Sequence, residues 1–132
     1  MPLFQMLFGL NGRIRRRDFW LYSGLNILVA LIVVVVCLGI TVARTIGNDN
    51  LQAVSQAVMI LPWLMVPFVW IAVALNIKRL HDLGRSYRWW RINLIPVAGW
   101  IWTFVECGLR DGMPGPNPYG PSPKPVRSED VF

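Results

Sequence analysis

The sequence predicts an all-α fold: a polytopic membrane protein built as a small bundle of three transmembrane helices, with a short N-terminal interfacial helix and a Pro/Gly-rich tail. Three observations carry that expectation. Of 132 residues, 55% are hydrophobic and 15% charged, where soluble domains have roughly 45–50% and 25%. The apolar residues are gathered into long uncharged intervals. The basic residues, 13 Lys and Arg against 7 Asp and Glu for a net charge of +6, fall mostly in the segments between them. The same composition excludes intrinsic disorder.

A spanning helix needs about 20 largely apolar residues to cross roughly 30 Å of hydrocarbon. No charge occurs from Phe19 to Ala43 or from Asn50 to Ile77, which predicts spans at about 20–43 and 57–77. The first is too long for the apolar stretch of a cleaved signal peptide, about 7–15 residues. The third interval, Ile92 to Val105, has 14 uncharged residues, a length at which re-entrant segments compete with true spans. Extension through Glu106 and Cys107 to Leu109 gives 18 positions, about 27 Å of helix. A third span at 92–109 is therefore expected, with a re-entrant dip as the alternative. Residues 1–123 form a single membrane domain on this reading, and 124–132 a flexible end.

Ahead of the first span, Leu3, Phe4, Leu7 and Phe8 recur at helical spacing, so a short helix can lie in the interface with those residues toward lipid. Gly9 and Gly12 end it; a frayed terminus is the alternative. Trp20, Tyr22, Trp89 and Trp90 sit at span ends, where amphipathic rings favour the headgroup level.

Orientation follows from the basic residues, which are retained on the cytoplasmic side near span ends. Residues 1–21 carry the anchoring motif Arg13, Arg15, Arg16 and Arg17 against Asp18, and residues 78–91 carry Lys78, Arg79, Arg85, Arg88 and Arg91 against Asp82. The 44–56 loop nets zero and the tail from Glu106 is slightly acidic. The N-terminus and the 78–91 loop are thus expected in the cytoplasm, with the tail outside if the third segment crosses and inside if it only dips.

The stretch from Lys78 to Ser86 has two readings. Structurally, the second span runs on through Asp82 and stops at Gly84, a residue that tolerates the left-handed conformation common at helix ends. Lys78, Arg79 and His81 then neutralise the helix dipole, Asp82 reaches Lys78 or Arg79, and Ser86 caps the next helix. Functionally, Arg85, Ser86 and Arg88 at that helix start, with Arg79 and His81 nearby, form a candidate site for an anion or lipid headgroup.

A carboxylate close to hydrocarbon calls for a partner, and in a three-span bundle Glu106 and Arg44 both lie toward the outer side, a candidate ion pair. Cys37 and Cys107 fall toward the same leaflet and are expected as free thiols. Asn26, Asn76 and Asn93 lie near the cytoplasmic ends of their spans and suit hydrogen bonding between helices. The tail has six Pro between Gly112 and Pro125 and cannot form a helix; an ordered strap packed through Tyr119 is expected, with a loose end beyond.

Three stretches carry a family resemblance: Gly12-Arg13-Ile14-Arg15-Arg16-Arg17-Asp18-Phe19-Trp20, the run from Lys78 to Ser86, and the run from Gly112 to Pro121. In order and spacing they are similar to the landmarks of the domain-of-unknown-function 805 family of small bacterial inner-membrane proteins. The resemblance implies a multi-pass protein of the bacterial cytoplasmic membrane and carries no established reaction. Tyr87-Arg88 and Pro118 depart from the family's pattern.

No complete catalytic constellation is visible. His81 and Asp82 are adjacent and point about 100° apart on a helix, which does not suit a dyad, and one His with two distant Cys offers no metal set. No enzyme activity, cofactor or nucleic-acid partner is therefore expected. A structural or regulatory membrane component is the leading reading, binding partner proteins and anionic lipid through a basic cytoplasmic face that carries 9 of the 13 basic residues. Association with itself or with other membrane proteins belongs to that reading. An oligomeric transport or pore-forming subunit is the alternative.

Overall fold

A computed structural model describes residues 3–48 and 52–123. Its elements are α1 (Leu3–Phe8), α2 (Arg16–Asn48), α3 (Gln52–Asp82), a 3-10 helix (Tyr87–Leu94), and α4 (Ala98–Thr103), which continues as a π turn over Phe104–Leu109. The sequence expectation for 124–132 lies outside the described residues.

Two long apolar helices dominate. At 1.5 Å per residue, α2 and α3 are each close to 50 Å long, well beyond the roughly 30 Å of a hydrocarbon core, so their polar ends can stand outside it. Both are long and apolar enough to cross a membrane, and their sides are largely exposed from Leu25 to Ile46 and from Val54 to Trp70. They run antiparallel: Asn26 Nδ2 donates to Phe68 O at 3.1 Å, while Cys37 and Thr41 share a cleft with Ala53 and Ala57. Thr41 and Thr45 bond back to the carbonyls of Cys37 and Thr41, which satisfies their hydroxyls in apolar surroundings. Pro62 and Pro67 lie inside α3, as membrane helices tolerate.

The end of α3 follows the sequence reading. The helix stops at Asp82, Gly84 takes φ +71°, and Arg85 N donates to Leu80 O at 2.8 Å, the six-to-one bond of a Schellman motif. The N-terminal segment is the short helix α1, and Gly9 N closes it on Gln5 O at 3.1 Å.

The third apolar segment departs from a continuous span. Residues 92–109 are broken at Ile95–Val97, where Ala98 N bonds Pro96 O at 2.8 Å and Val97 adopts φ 66°, ψ −61°, a γ-turn that is strained for a β-branched residue. The chain reverses there. Arg85, before the segment, lies 3.3 Å from Glu106, near its end, whereas a straight helix of 18 residues would separate its ends by about 27 Å. A 14-residue uncharged interval containing Pro96 and Gly99 folds into a short hairpin.

The buried core is small and lies at one end of the molecule, where the start of α2, the end of α3 and the π turn meet. Ile14, Phe19, Leu75, Leu80 and Cys107 form it, with Tyr22, Ile71, Trp90 and Trp102 packed around.

Candidate functional site: a knot of cations at the helix ends

The three landmark stretches converge at this end. Beside the core residues Ile14, Phe19 and Leu80, they bury five polar ones: Arg13 is 8% exposed, Lys78 1%, Arg79 0%, His81 7% and Asp82 2%. Buried charges at that level require partners; Arg13, Lys78, Arg79 and Asp82 find them in distinct ways, whereas His81 Nδ1 is buried with no hydrogen-bond partner among the described residues.

Lys78 and Arg79 are neighbours in sequence but serve different elements. Lys78 Nζ donates to Gln5 O at 2.7 Å and also to Met6 O, so it caps the last carbonyls of α1. Phe8 O accepts from Trp70 Nε1 at 3.1 Å. Arg79 turns the other way. Its Nε donates to Cys107 O at 2.8 Å, Nη1 to Ile14 O at 3.4 Å and to Asp82 Oδ2, and Nη2 to Arg110 O.

A helix leaves its last four carbonyls without intrahelical donors, and the end of the α4–π segment shows how these can be met by side chains. Cys107 O and Arg110 O accept from Arg79, Gly108 O accepts from Trp20 Nε1 at 3.0 Å, and Leu109 O accepts from Arg16 Nη1 at 2.9 Å. Cations at a helix C-terminus also complement its negative dipole end. Gly108 lies so close to Trp20 that a Cβ would stand 2.6 Å from the indole ring.

Arg13 holds the tail. Its Nε lies 3.1 Å from Asp82 Oδ1, Nη1 donates to Gly115 O at 2.7 Å and Gly120 O at 3.2 Å, and Nη2 donates to Met113 O at 2.7 Å. A Pro-rich strap cannot form a helix and lacks N–H groups at each Pro, so its carbonyls need outside donors, and the guanidinium supplies them in a planar fan. Met113 N bonds Asp82 O at 2.9 Å. Asn117 Nδ2 bonds His81 O at 2.8 Å, and the Tyr119 ring stacks on the His81 imidazole at 4.0 Å and 4°. Gly112 must lack a side chain: a Cβ there would lie 1.9 Å from Asp82 Oδ2.

The candidate anion site divides under this geometry. Arg79 and His81 are inside the knot. Arg85 is paired with Glu106 and lies over the Trp89 ring, 4.8 Å from its centroid. Ser86 sits ahead of the 3-10 helix without a side-chain capping bond, and Arg88 is exposed. Within the anchoring motif, Arg15, Arg16 and Arg17 are exposed, but Arg13 is buried in the knot, its donors taken by carbonyls rather than open to a phosphate.

The proposed Arg44–Glu106 pair is not formed. Glu106 accepts from Arg110 at 2.9 and 3.0 Å and meets Arg85, while Arg44 lines the cleft beside Cys37 and Gln56 at the far end of α2. The reversal at Val97 returns Glu106 to the knot. It also returns Cys107, so the two free thiols lie at opposite ends rather than in one leaflet. Among the described residues, no group of three or more His, Cys, Asp and Glu is placed to hold a metal ion.

Of the two partners that helix spacing offers Asp82, Lys78 and Arg79, the fold uses Arg79; spacing gives no sign of Arg13, Trp20 and Gly112 as parts of one assembly. A charged Arg13 flanked by Gly12 and Ile14 was the available signal.

Residues 7–121, from α1 through the strap, match the family described as "Protein of unknown function (DUF805)". The chain belongs to the DUF805 family. It is 32% identical over 116 residues to inner membrane protein YhaH of Escherichia coli strain K12, covering 88% of each chain. Inner membrane protein YhaI of the same strain is also 32% identical over 116 residues, covering 88% of this chain and 86% of its own. The uncharacterized protein YiiR of that strain is 28% identical, with 96% and 94% covered. No solved structure matches the chain. These relatives, together with two apolar helices of spanning length, support an inner-membrane location.

Proposed function

We propose that this DUF805 protein is a small structural or regulatory component of the inner membrane, whose cytoplasmic end holds anionic lipid and partner proteins. In this reading α2 and α3 cross the bilayer as a hairpin, residues 87–109 dip in from the cytoplasmic side and return, and the N-terminus and strap both lie in the cytoplasm. The positive-inside bias supports that orientation, because Arg13, Arg15, Arg16, Arg17, Lys78, Arg79, Arg85, Arg88 and Arg91 all belong to the knotted end.

One observation carries the lipid part. Conspicuous motif residues are tied internally, whereas Arg15, Arg17, Arg88 and Arg91 are exposed on segments that the Arg13–Asp82 and Arg79–Ile14 contacts hold together. Basic residues near an anionic leaflet contribute about 1 kcal/mol each. Native mass spectrometry of the full chain, extracted with mixed phosphatidylcholine and phosphatidylglycerol, tests it. Replacing those four arginines by Gln is expected to remove most retained phosphatidylglycerol and to leave phosphatidylcholine unchanged. Equal retention of both lipids by wild type and variant overturns the lipid role.

A further inference from the structure

Asn26 of α2, Asn76 of α3 and Asn93 of the 3-10 helix do not bond one another. With Ser23 and Thr103 they line one lateral cleft of about 420 Å³, walled by Trp20, Trp90 and Trp100 among other apolar residues. That volume is in the range of small-ligand sites, about 300–1,000 Å³. Ser23 and Asn26 lie about 10–15 Å along α2 from Arg16 at 1.5 Å per residue, inside the apolar part of the helix. A largely apolar cleft there, with five Ser, Thr and Asn side chains and no charged one, is an unusual concentration of polarity.

We propose that this cleft binds one neutral membrane amphiphile, a lipid whose polar group is an uncharged hydroxyl, with its chain passing out between Ile27 and Val69. The hydrogen-bonding capacity selects that class. Asn93 Oδ1 already accepts from the Thr103 hydroxyl, which leaves the Asn93 amide as donor. Asn76 Nδ2 donates to Ala72 O at 2.8 Å, and its Oδ1 is buried with no hydrogen-bond partner among the described residues. Ala72 O is also the i−4 acceptor for the backbone of Asn76, so the amide can turn toward a ligand without stripping the helix. A hydroxyl both donates and accepts, and so serves an unpaired Oδ1 and a donor amide together. A phosphate would meet no cation there and would lose its hydration. Ile27, Val69 and Trp100 are exposed at the mouth, open to a chain arriving from the bilayer.

The inference depends on α2 and α3 lying in the membrane and is independent of the exposed arginines. The test uses the full chain in phosphatidylcholine nanodiscs doped with diacylglycerol carrying a diazirine in its acyl chain, or with phosphatidylglycerol carrying the same chain. Diacylglycerol is expected to label peptides containing Ile27, Val69 and Trp100 at least about tenfold more than phosphatidylglycerol does, because the phosphate would be desolvated there without a cation. Ala72→Phe, which fills the cleft, should abolish that excess. Asn76→Leu should reduce it, and replacing Arg15, Arg17, Arg88 and Arg91 by Gln should not. Equal labelling by both probes in the wild-type chain, or labelling spread to Val35 and Met59 and indifferent to Ala72→Phe, would reduce the cleft to ordinary lipid contact and overturn the proposal.

Discussion

Asp82 faces two guanidiniums, Arg13 at 3.1 Å and Arg79 at i−3, and all three side chains are buried. Removing one partner of a buried ionic set is far more damaging than losing a surface pair, because the remaining charges stay buried. Asp82→Asn is therefore expected to destabilise by about 3–5 kcal/mol, read as a lowered unfolding midpoint in detergent. Arg13→Lys should also destabilise, since an ammonium cannot reach Asp82 and three strap carbonyls in one plane, and an unchanged midpoint would mean that the strap is held otherwise. Gly112→Ala places a methyl against Asp82 Oδ2 and is expected to cost about 1–3 kcal/mol. Such roles were only partly legible in the sequence. Arg79 and Asp82 are three apart on one helix and could be paired by spacing, but Arg13 meets Asp82 across 69 positions, and helical periodicity carries no information on that distance.

Long periodic elements were the legible part. The uncharged intervals at 19–43 and 50–77 became α2 and α3; the run of α3 through Asp82 is the expected one, whereas the extra turns at 16–19, 44–48 and 52–56 lie beyond the expected spans. Gly84 stopped α3 where its φ preference said it could. The interval at 92–109 misled because length alone cannot tell a span from a hairpin. What decides is the γ-turn at Val97 and the side-chain caps on carbonyls 107–110, and these caps come from Arg16, Trp20 and Arg79 on other elements. A Val at φ 66° carries about 1–3 kcal/mol of strain. Val97→Gly is accordingly expected to raise the unfolding midpoint, and a fall would show that packing of the Val side chain outweighs its backbone. Tyr119→Ala removes the stack on His81 and should expose the strap to protease, while Tyr119→Phe keeps the ring contact, worth about 0.5–1.5 kcal/mol, and should not.

Taken together, the elements make a two-helix hairpin closed at one end by a polar knot that joins chain start, helix turn and tail. The basic residues that sequence alone assigns to phosphates are divided by the fold. Arg13, Lys78 and Arg79 are tied inside the knot, and Arg15, Arg17, Arg88 and Arg91 are left exposed, the residues to which the proposed function assigns lipid and partners. That division has meaning only if the strap and the 85–91 turn lie on the same side of the membrane. Single cysteines at Gln52, Arg88 and Pro121, in a Cys37→Ala, Cys107→Ala background, test it directly in intact cells with a thiol reagent that does not cross the inner membrane. The result expected is labelling at position 52 alone, with 88 and 121 reacting only after the membrane is permeabilised. Labelling of 121 from outside while 88 stays protected would contradict the knot, because it would put the strap and Arg13 on opposite faces of the bilayer.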